Sequence, residues 1–161
     1  MKTRMLGLGL VIALALASHV TPAAAQPANQ KIADEIIAMV KASWAAEAVK
    51  KNAEAMKNVA DDYTEFNGQA ATRIEGKALA LRLSEASLKD PGKLVASEML
   101  NEKVQVYGDV AILTYNFFGL EQDKDGKVVP RRAKSTRVYA KVGGKWMLVH
   151  GNFAPDPLEK P

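Results

Sequence analysis

Two short segments of the sequence carry side chains that could act together on a small molecule. In the first segment, Tyr63, Glu65 and Asn67 alternate with two other residues, which places all three on one face of a β-strand. Glu65 is the only carboxylate on that face, and it could serve as a general acid or base. In this interpretation Tyr63 and Asn67 would orient the substrate.

The second segment contains Arg137, which would share one strand face with Ser135 and Tyr139. The planar guanidinium of an arginine binds a carboxylate through two parallel hydrogen bonds. If this face is concave, Arg137 predicts a pocket for a ligand that carries a carboxylate. The alternatives are an exposed or inter-subunit salt bridge for Arg137, and for Glu65 an ion pair with Arg137 or a place at the pocket rim.

The histidine and cysteine content argues against a metal site. The chain has no cysteine, and His150 is the only histidine after residue 25, where an N-terminal leader described below would end. Neither a zinc site nor a hydrolytic triad can therefore be assembled. Strict alternation puts His150 on the face of Trp146 and Leu148, opposite Phe153, where it would lie at a subunit contact. Because a β-bulge can invert a face, His150 is kept as a candidate ligand-binding residue. No segment indicates a cofactor.

A curved β-sheet is the element that would position these residues. Between Lys103 and Phe153, three apolar or alternating runs are joined by loops that contain Asp125-Gly126 and Gly143-Gly144. Both dipeptides are strong turn signals, so this stretch predicts an antiparallel meander. Upstream, Leu94 to Tyr107 predicts one long strand bent near Asn101, because the apolar patterns on the two sides are out of phase.

Helices upstream of the sheet would cover one of its faces. They are predicted from about Gln30 to Lys50 and from Lys77 to Leu88, with apolar residues at helical spacing on one side. A shorter helix would start at Asn52, place Val59 inward and end at Asp61-Asp62. This order of elements predicts the α+β class, with a curved, mainly antiparallel sheet and N-terminal helices over its concave face.

One strand of the predicted sheet also indicates a partner. The run from Val110 to Phe118 is apolar at almost every position, and such runs are typical of strands that are buried on both faces. With helices on only one side of the sheet, the other side needs something to cover it. A symmetric homodimer is the simplest answer, and the alternative is an exposed apolar patch, which soluble proteins rarely leave large.

The N-terminus has the pattern of a cleaved export signal. Lys2 and Arg4 precede an apolar run from Leu6 to Ala17, and Ala23-Ala24-Ala25 supplies the small residues of a cleavage site. A run of about a dozen apolar residues is too short to cross ~30 Å of hydrocarbon as a helix, so no membrane span is expected after cleavage. We therefore predict a signal peptide at residues 1–25 and a periplasmic or secreted protein of bacterial type.

The rest of the chain predicts a single domain. The formal charge of the 161 residues is +4, and two of the positive side chains would be removed with the leader. The small charge that is left gives no support to nucleic-acid binding. The predicted organisation is a linker at 26–30, a domain at 31–154 and a C-terminal tail at 155–161.

Three segments resemble the nuclear transport factor 2-like superfamily, whose fold is cone-shaped. They are Ala60 to Thr64, Ile74 to Gly76, and Ser135 to Tyr139 followed by Gly144-Lys145-Trp146 and Val149-His150. Within this superfamily the chain is most similar to the association (hub) domain of calcium/calmodulin-dependent protein kinase II. SnoaL-like cyclases and ketosteroid isomerases share the same outline. The resemblance covers about Lys31 to Phe153 and implies the cone-shaped fold.

The resemblance also implies a ligand pocket with a reduced set of arginines. In the hub domain, arginines on the concave sheet face line a pocket that takes carboxylates; Arg137 matches one of them, while Asn116 and Phe153 stand at two other positions. Asn67 stands where ketosteroid isomerase has its general base, and a neutral amide cannot take a proton from carbon. The candidate ligand-binding residues are Arg137, Asn116, Tyr63, Asn67, Tyr139 and His150, with Glu65 as the candidate catalytic residue.

Together these features favour an exported protein that binds a small molecule, with or without a weak cofactor-free acid/base reaction of the isomerase, cyclase or hydrolase kind. Whether the protein is an enzyme is left open. The alternative is a homo-oligomeric assembly module that resembles the hub domain and has no catalysis. An open, apolar cavity that contains both Glu65 and Arg137 would favour ligand binding, whereas a filled, polar cavity beside a large apolar interface would favour assembly.

Overall fold

A computed structural model describes residues 27–87 and 92–156, within which three helices and six strands follow one another. The elements are α1 (Pro27–Ala48), α2 (Asn52–Ala55), β1 (Val59–Asn67), β2 (Ile74–Glu75), α3 (Lys77–Ser87), β3 (Lys93–Tyr107), β4 (Val110–Gln122), β5 (Val128–Val142) and β6 (Lys145–Pro155). The predicted signal peptide and the predicted end of the third helix at Leu88 lie outside the described residues. Within the described ranges, no helix is long and apolar enough to cross a membrane.

The strands form one sheet with the order β2-β1-β6-β5-β4-β3. β3 to β6 are the antiparallel meander that the turn dipeptides predict, and β2 is antiparallel to β1. β1 and β6 run parallel to each other. α1 packs against β3, and α3 packs against β1. The predicted fold class is confirmed: an α+β fold with a curved, mainly antiparallel sheet and N-terminal helices over its concave face.

The core lies between α1 and the concave face of the sheet. Ile36 and Val40, one helical turn apart on α1, are 0% and 1% exposed, and Leu113 on β4 is 0% exposed. Removing a side chain of this kind from water stabilises the fold by about 1.5–3 kcal/mol. One turn further along α1, the indole of Trp44 meets the ring of Tyr115 edge-on, with 5.9 Å between ring centroids. These contacts hold α1 above the strands that carry the site.

β3 is one long strand that bends at Asn101, as the sequence predicts. Asn101 has a φ of 53°, and the register with β4 shifts between Leu100 and Lys103. Asparagine enters this left-handed region more readily than most residues. The bend helps the sheet to curve around the helices.

β6 contains a β-bulge at Val149. On the neighbouring strand β5, Tyr139 pairs with Leu148 and Val138 pairs with His150, so Val149 is an extra residue without a partner in the register. A bulge of this kind bends the strand and reverses the alternation of its side chains.

The bulge shows that the predicted faces of Trp146 and Leu148 on β6 were wrong, whereas His150 lies on the face opposite Phe153, as predicted. Strict alternation placed His150 on the face of Trp146 and Leu148, with Phe153 on the other. In the structure, Leu148 and Phe153 both line the concave cavity, and Trp146 is buried in the core. Because the extra residue lies between them, the strand keeps Leu148 and Phe153 on one face and turns His150 to the other.

The prediction that a second helix reaches Val59 was also wrong. α2 has only four residues and ends at Ala55, whereas Val59 begins β1, which continues through Asp61-Asp62. The reason lies in tertiary structure, because Val59 is buried and pairs in register with Leu148 of β6. The short strand β2, which pairs with β1, was not predicted.

Candidate functional site

A cavity of about 560 Å³ lies between the helices and the concave face of the sheet. Its apolar lining includes Trp44, Met56, Leu83, Phe117, Leu148 and Phe153. Its polar lining includes Ser43, Glu47, Tyr63, Glu65, Asn67, Tyr115, Ser135 and Arg137. Pockets of this volume and mixed lining are typical of sites for small organic ligands.

Arg137 on β5 places its guanidinium in this cavity. Its Nε donates a hydrogen bond to Tyr115 Oη at 3.0 Å, and its central carbon lies 4.9 Å from the centroid of the Phe153 ring. Among the described residues, no carboxylate oxygen lies within 4.0 Å of the guanidinium. The chain therefore supplies Arg137 with aromatic partners, and with no ion pair in the part that is described.

The hydroxyl groups of Tyr63 and Tyr139 stay neutral while the guanidinium of Arg137 stays charged. Burial alone would lower the pKa of Arg137, but the neighbouring Tyr115 and Tyr139 raise it, and the net shift is upward. Burial raises the pKa of Tyr139 to about 12, and the charge of Arg137 acts in the opposite direction. Burial, followed by the nearby Glu65 carboxylate, raises the pKa of Tyr63. At neutral pH the site therefore contains a permanent cation beside protonated phenols.

The carboxylate of Glu65 is held by its two neighbours on the same face of β1. Tyr63 Oη donates to Glu65 Oε2 at 2.7 Å, and Asn67 Nδ2 donates to Glu65 Oε1 at 2.5 Å. Asn67 Oδ1 in turn accepts the backbone N–H groups of Gln69 and Ala70, both at 2.9 Å. Tyr63 and Asn67 thus fix the orientation of Glu65, whose oxygens can each accept a further donor.

Arg137 and Glu65 flank Gly151 in one row across three strands. In the register of the sheet, Gly151 on β6 pairs with Arg137 on β5 and with Glu65 on β1. Neighbouring strands are about 4.8 Å apart, so the Cα atoms of Arg137 and Glu65 are about 10 Å apart. A Cβ on Gly151 would lie 2.5 Å from Tyr63 Oη. The floor of the site therefore needs a glycine at this position.

Glu47 on α1 brings a second carboxylate to the mouth of the cavity. It remains accessible to solvent, and its Oε1 accepts a hydrogen bond from Ser43 Oγ at 3.3 Å. Partial burial raises the pKa of Glu47, and the charge of Arg137 opposes this shift. Sequence reasoning missed both Glu47 and Tyr115. Two features of the sequence could have identified them. Glu47 lies about one helical turn after Trp44, so the two side chains are neighbours on α1, and the alternation along β4 places Tyr115 on its inward face.

The structure brings together four of the residues singled out in the sequence and separates three others. The four that line the cavity are Tyr63, Glu65, Asn67 and Arg137. Tyr139 is buried beside Arg137 in the core. Asn116 lies on the opposite face of the sheet, because its two neighbours on β4 point into the cavity, and it accepts a hydrogen bond from Asn101 at 3.2 Å. His150 also lies on that face, with its Nδ1 2.8 Å from Thr64 Oγ1.

The site combines one guanidinium, two carboxylates and several aromatic hydroxyl groups. In the part of the chain that the structure describes, no three histidine, aspartate or glutamate side chains gather as a metal ion would require. An arrangement of this kind can hold a polar molecule through charge-assisted hydrogen bonds, which are about twice as strong as neutral ones.

Solved structures of several kinds of protein share this fold. The association domain of calcium/calmodulin-dependent protein kinase II from C. elegans is 21% identical, with a TM-score of 0.66 over 79% of this chain and 98% of that chain. A protein from Xanthomonas campestris, proposed to be an association domain of the same kind, is 21% identical, with a TM-score of 0.61 over 86% and 97%. A proposed ketosteroid isomerase from Parabacteroides distasonis is 20% identical, with a TM-score of 0.62 over 81% and 92%. At these identities the likeness shows the fold, which is the predicted cone.

No curated protein sequence matches this chain. The model of the family described as the calcium/calmodulin dependent protein kinase II association domain matches residues 32–157. The matched range includes almost all of α1, the whole sheet and every residue named in the cavity. The chain therefore belongs to the calcium/calmodulin-dependent protein kinase II association domain family.

Proposed function

We propose that this is an exported protein that holds a small carboxylate ligand in its concave cavity through Arg137. The observation that carries the proposal is the guanidinium itself, which faces the cavity without a carboxylate partner among the described residues. Charged side chains are seldom buried unless they are paired. A carboxylate ligand would supply that pair together with two parallel hydrogen bonds.

The surroundings of Arg137 support this role. An arginine side chain has five N–H groups, of which Tyr115 accepts one, so the others can bind a ligand. The ring of Phe153 packs against the guanidinium and limits its movement. The cavity contains both Arg137 and Glu65 and is large enough for a small organic molecule, which is the arrangement that favours ligand binding.

The proposal does not include a reaction. The sequence assigned Glu65 as an acid/base and gave Tyr63 and Asn67 the task of orienting a substrate. In the structure both residues donate their hydrogen bonds to Glu65 itself. These two hydrogen bonds fix the orientation of the Glu65 carboxylate. A carboxylate with a fixed orientation is suited to binding a ligand group.

Export is the second part of the proposal, and it depends on the sequence of the leader. The basic start, the short apolar run and the small residues before Gln26 are typical of a cleaved signal peptide. The measurement is the intact mass of the protein recovered from the periplasm or the medium. A chain that begins at Gln26 is expected, and a chain that keeps its leader would contradict export.

The role of Arg137 is tested by ligand-induced thermal stabilisation. A carboxylate such as pentanoate should raise the Tm of the wild-type protein, since a ligand at a hundred times its Kd adds about 2.7 kcal/mol of stability. Arg137→Ala should lose this shift. Arg73→Ala is the matched control, because Arg73 is exposed and pairs with Glu75 outside the cavity. Equal shifts in the wild type and in Arg137→Ala would overturn the proposed function.

Assembly is a second candidate function, and the convex face of the sheet supports it. Ile112, Val138 and Met147 lie on this face and stay partly exposed in a single chain. Apolar side chains in this arrangement are typical of a face that meets a partner. We propose a homodimer through this face, which leaves the cavity on the concave side free to bind its ligand.

A further inference from the structure

We propose that the cavity selects a short aminocarboxylate, a molecule with a carboxylate at one end and an ammonium group at the other. This inference rests on the proposed function, because it takes Arg137 as the partner of the carboxylate end. It adds Glu65 as the partner of the ammonium end. It thereby names the chemical class of the ligand.

The cavity contains three charged side chains that form no ion pair with the described residues. Arg137 has no carboxylate oxygen within 4.0 Å, and neither Glu65 nor Glu47 has a basic nitrogen within that distance. One positive and two negative groups therefore face the same space. A ligand with a single charge would pair with one group and enclose the others without a partner, which is unfavourable.

The cation and the anion stand on opposite sides of a gap. Arg137 and Glu65 pair with Gly151 from either side, so their Cα atoms are about 10 Å apart across three strands. The hydroxyl of Tyr63 and the ring of Phe153 lie over Gly151, and the two charged groups do not form an ion pair. A chain of a few methylene groups would pass over Tyr63 and Phe153 with one charged end on each side.

Glu65 offers only acceptor atoms to the ligand. Tyr63 and Asn67 each donate one hydrogen bond to its carboxylate, which lines the cavity and keeps lone pairs for further donors. The matching ligand group must be a donor, and an ammonium group has three N–H donors and the opposite charge. The rings of Trp44 and Phe153 provide apolar surface for the methylene groups between the two ends.

Glu47 adds a reason to reject a dicarboxylate. A second carboxylate on the ligand would lie close to both Glu65 and Glu47, and like charges at short range repel each other. The expected order of affinity at equal chain length is therefore aminocarboxylate first, monocarboxylate second and dicarboxylate last. An amine without a carboxylate should also bind weakly, because it leaves Arg137 without a partner.

The test is calorimetric titration of the mature protein with pentanoate, 5-aminopentanoate, glutarate and pentylamine. We expect 5-aminopentanoate to bind at least about tenfold more tightly than pentanoate, because its ammonium group adds one charge-assisted hydrogen bond to Glu65. Glu65→Gln should remove this preference, so that the ratio of the affinities for 5-aminopentanoate and pentanoate falls to about one. Glu75→Gln is the matched control, since Glu75 is exposed on β2 and pairs with Arg73.

The outcomes separate this inference from the proposed function. If pentanoate and 5-aminopentanoate bind equally, and both need Arg137, the aminocarboxylate inference is overturned while the carboxylate site stands. If no compound in the series binds, both are overturned. Should Glu65→Gln fail to fold, as judged by its Tm, Glu47→Gln serves as the second variant. It should then reduce the discrimination against glutarate, and unchanged discrimination would count against the proposed charge selection.

Discussion

Gly151 separates the guanidinium of Arg137 from the carboxylate of Glu65, and Tyr63 occupies part of the space above it. A Cβ built on Gly151 would lie 2.5 Å from Tyr63 Oη and 2.8 Å from Cε2 of Phe153, closer than real Cβ atoms come to other heavy atoms. The Tyr63 hydroxyl stands at the end of a rigid ring. An added methyl group would therefore displace the ring and weaken its hydrogen bond to Glu65.

We expect Gly151→Ala to lower the free energy of unfolding by about 1–3 kcal/mol, the usual range for overpacking a core. Urea-induced unfolding measures this loss. In a Tyr63→Phe background the hydroxyl is absent, so the same substitution should be less destabilising. If the losses in the two backgrounds are equal, the clash does not involve the Tyr63 hydroxyl.

Glu47 predicts a pH dependence of stability. Burial raises its pKa above the ordinary value of 4.5, while the charge of Arg137 opposes the shift. The folded protein therefore keeps this proton at pH values where the unfolded chain has lost it. The stability that Glu47 contributes is complete below the unfolded pKa and is lost as the pH rises through the folded pKa.

We expect Glu47→Gln, which stays neutral, to gain Tm relative to the wild type as the pH rises from about 4 to about 7. Thermal unfolding at these two pH values measures the difference. Glu35→Gln on the exposed side of α1 is the matched control for removing a carboxylate from this helix. A Tm difference between Glu47→Gln and the wild type that does not change with pH would contradict the raised pKa.

At the scale of secondary structure, one buried hydrogen bond ties α2 to α3 in the roof of the cavity. Asn52 Nδ2 donates to Ser84 Oγ at 2.7 Å, and Asn52 is only 5% exposed. The helix starts at Asn52, as the sequence predicted, and Lys51 holds the capping position without a side-chain capping bond. The Asn52 amide joins α2 to the helix that carries Leu83 into the cavity wall.

We expect Ser84→Ala to lower the free energy of unfolding by about 1–3 kcal/mol, because it leaves the buried Asn52 amide without this partner. Urea-induced unfolding gives the loss. Ser87→Ala is the control, since Ser87 is exposed and its hydroxyl donates to the backbone of the same helix. A loss in Ser87→Ala as large as that in Ser84→Ala would show that the contact between the helices is not the cause.

Elements that depend on local signals could be predicted from the sequence. The turn glycines determine the meander. The uninterrupted alternation of β5 places Ser135, Arg137 and Tyr139 on one face, as predicted, and the structure shows that this face is the concave one. The bend of β3 was also predictable, because a change of phase at Asn101 leaves a trace in the apolar pattern. For these elements, the side-chain pattern and the backbone geometry carry the same information.

Features that depend on pairing between distant segments could not be predicted. Val149 has no property that marks it as the extra residue of a bulge, yet it decides which face His150 occupies. The parallel pairing of β1 with β6 brings Glu65 beside Gly151, although nothing near either residue in the sequence indicates the other. The sequence therefore predicted which residues could form the candidate site. That Arg137, Gly151 and Glu65 lie in one row across three strands became known only from the structure.

The whole molecule presents two faces of different chemistry. The concave face contains the charged cavity, and the convex face carries a row of two aliphatic side chains and one imidazole. Ile112 on β4 pairs with Val138 on β5, and Val138 pairs with His150 on β6, so the three side chains lie next to one another across the sheet. Each of them is partly exposed in a single chain. A second copy of the chain would cover this row from the outside.

We expect Val138→Glu to convert the proposed dimer into a monomer, because it puts a charge in the middle of the row and a two-fold axis would bring two such charges together. Native mass spectrometry gives the subunit number. Ala86→Glu, on the exposed side of α3, is the matched control and should stay dimeric. Both variants should bind 5-aminopentanoate like the wild type, because the cavity opens on the other face. A dimeric Val138→Glu or a monomeric wild type would contradict the interface, whereas loss of binding on dissociation would show that the site depends on both chains.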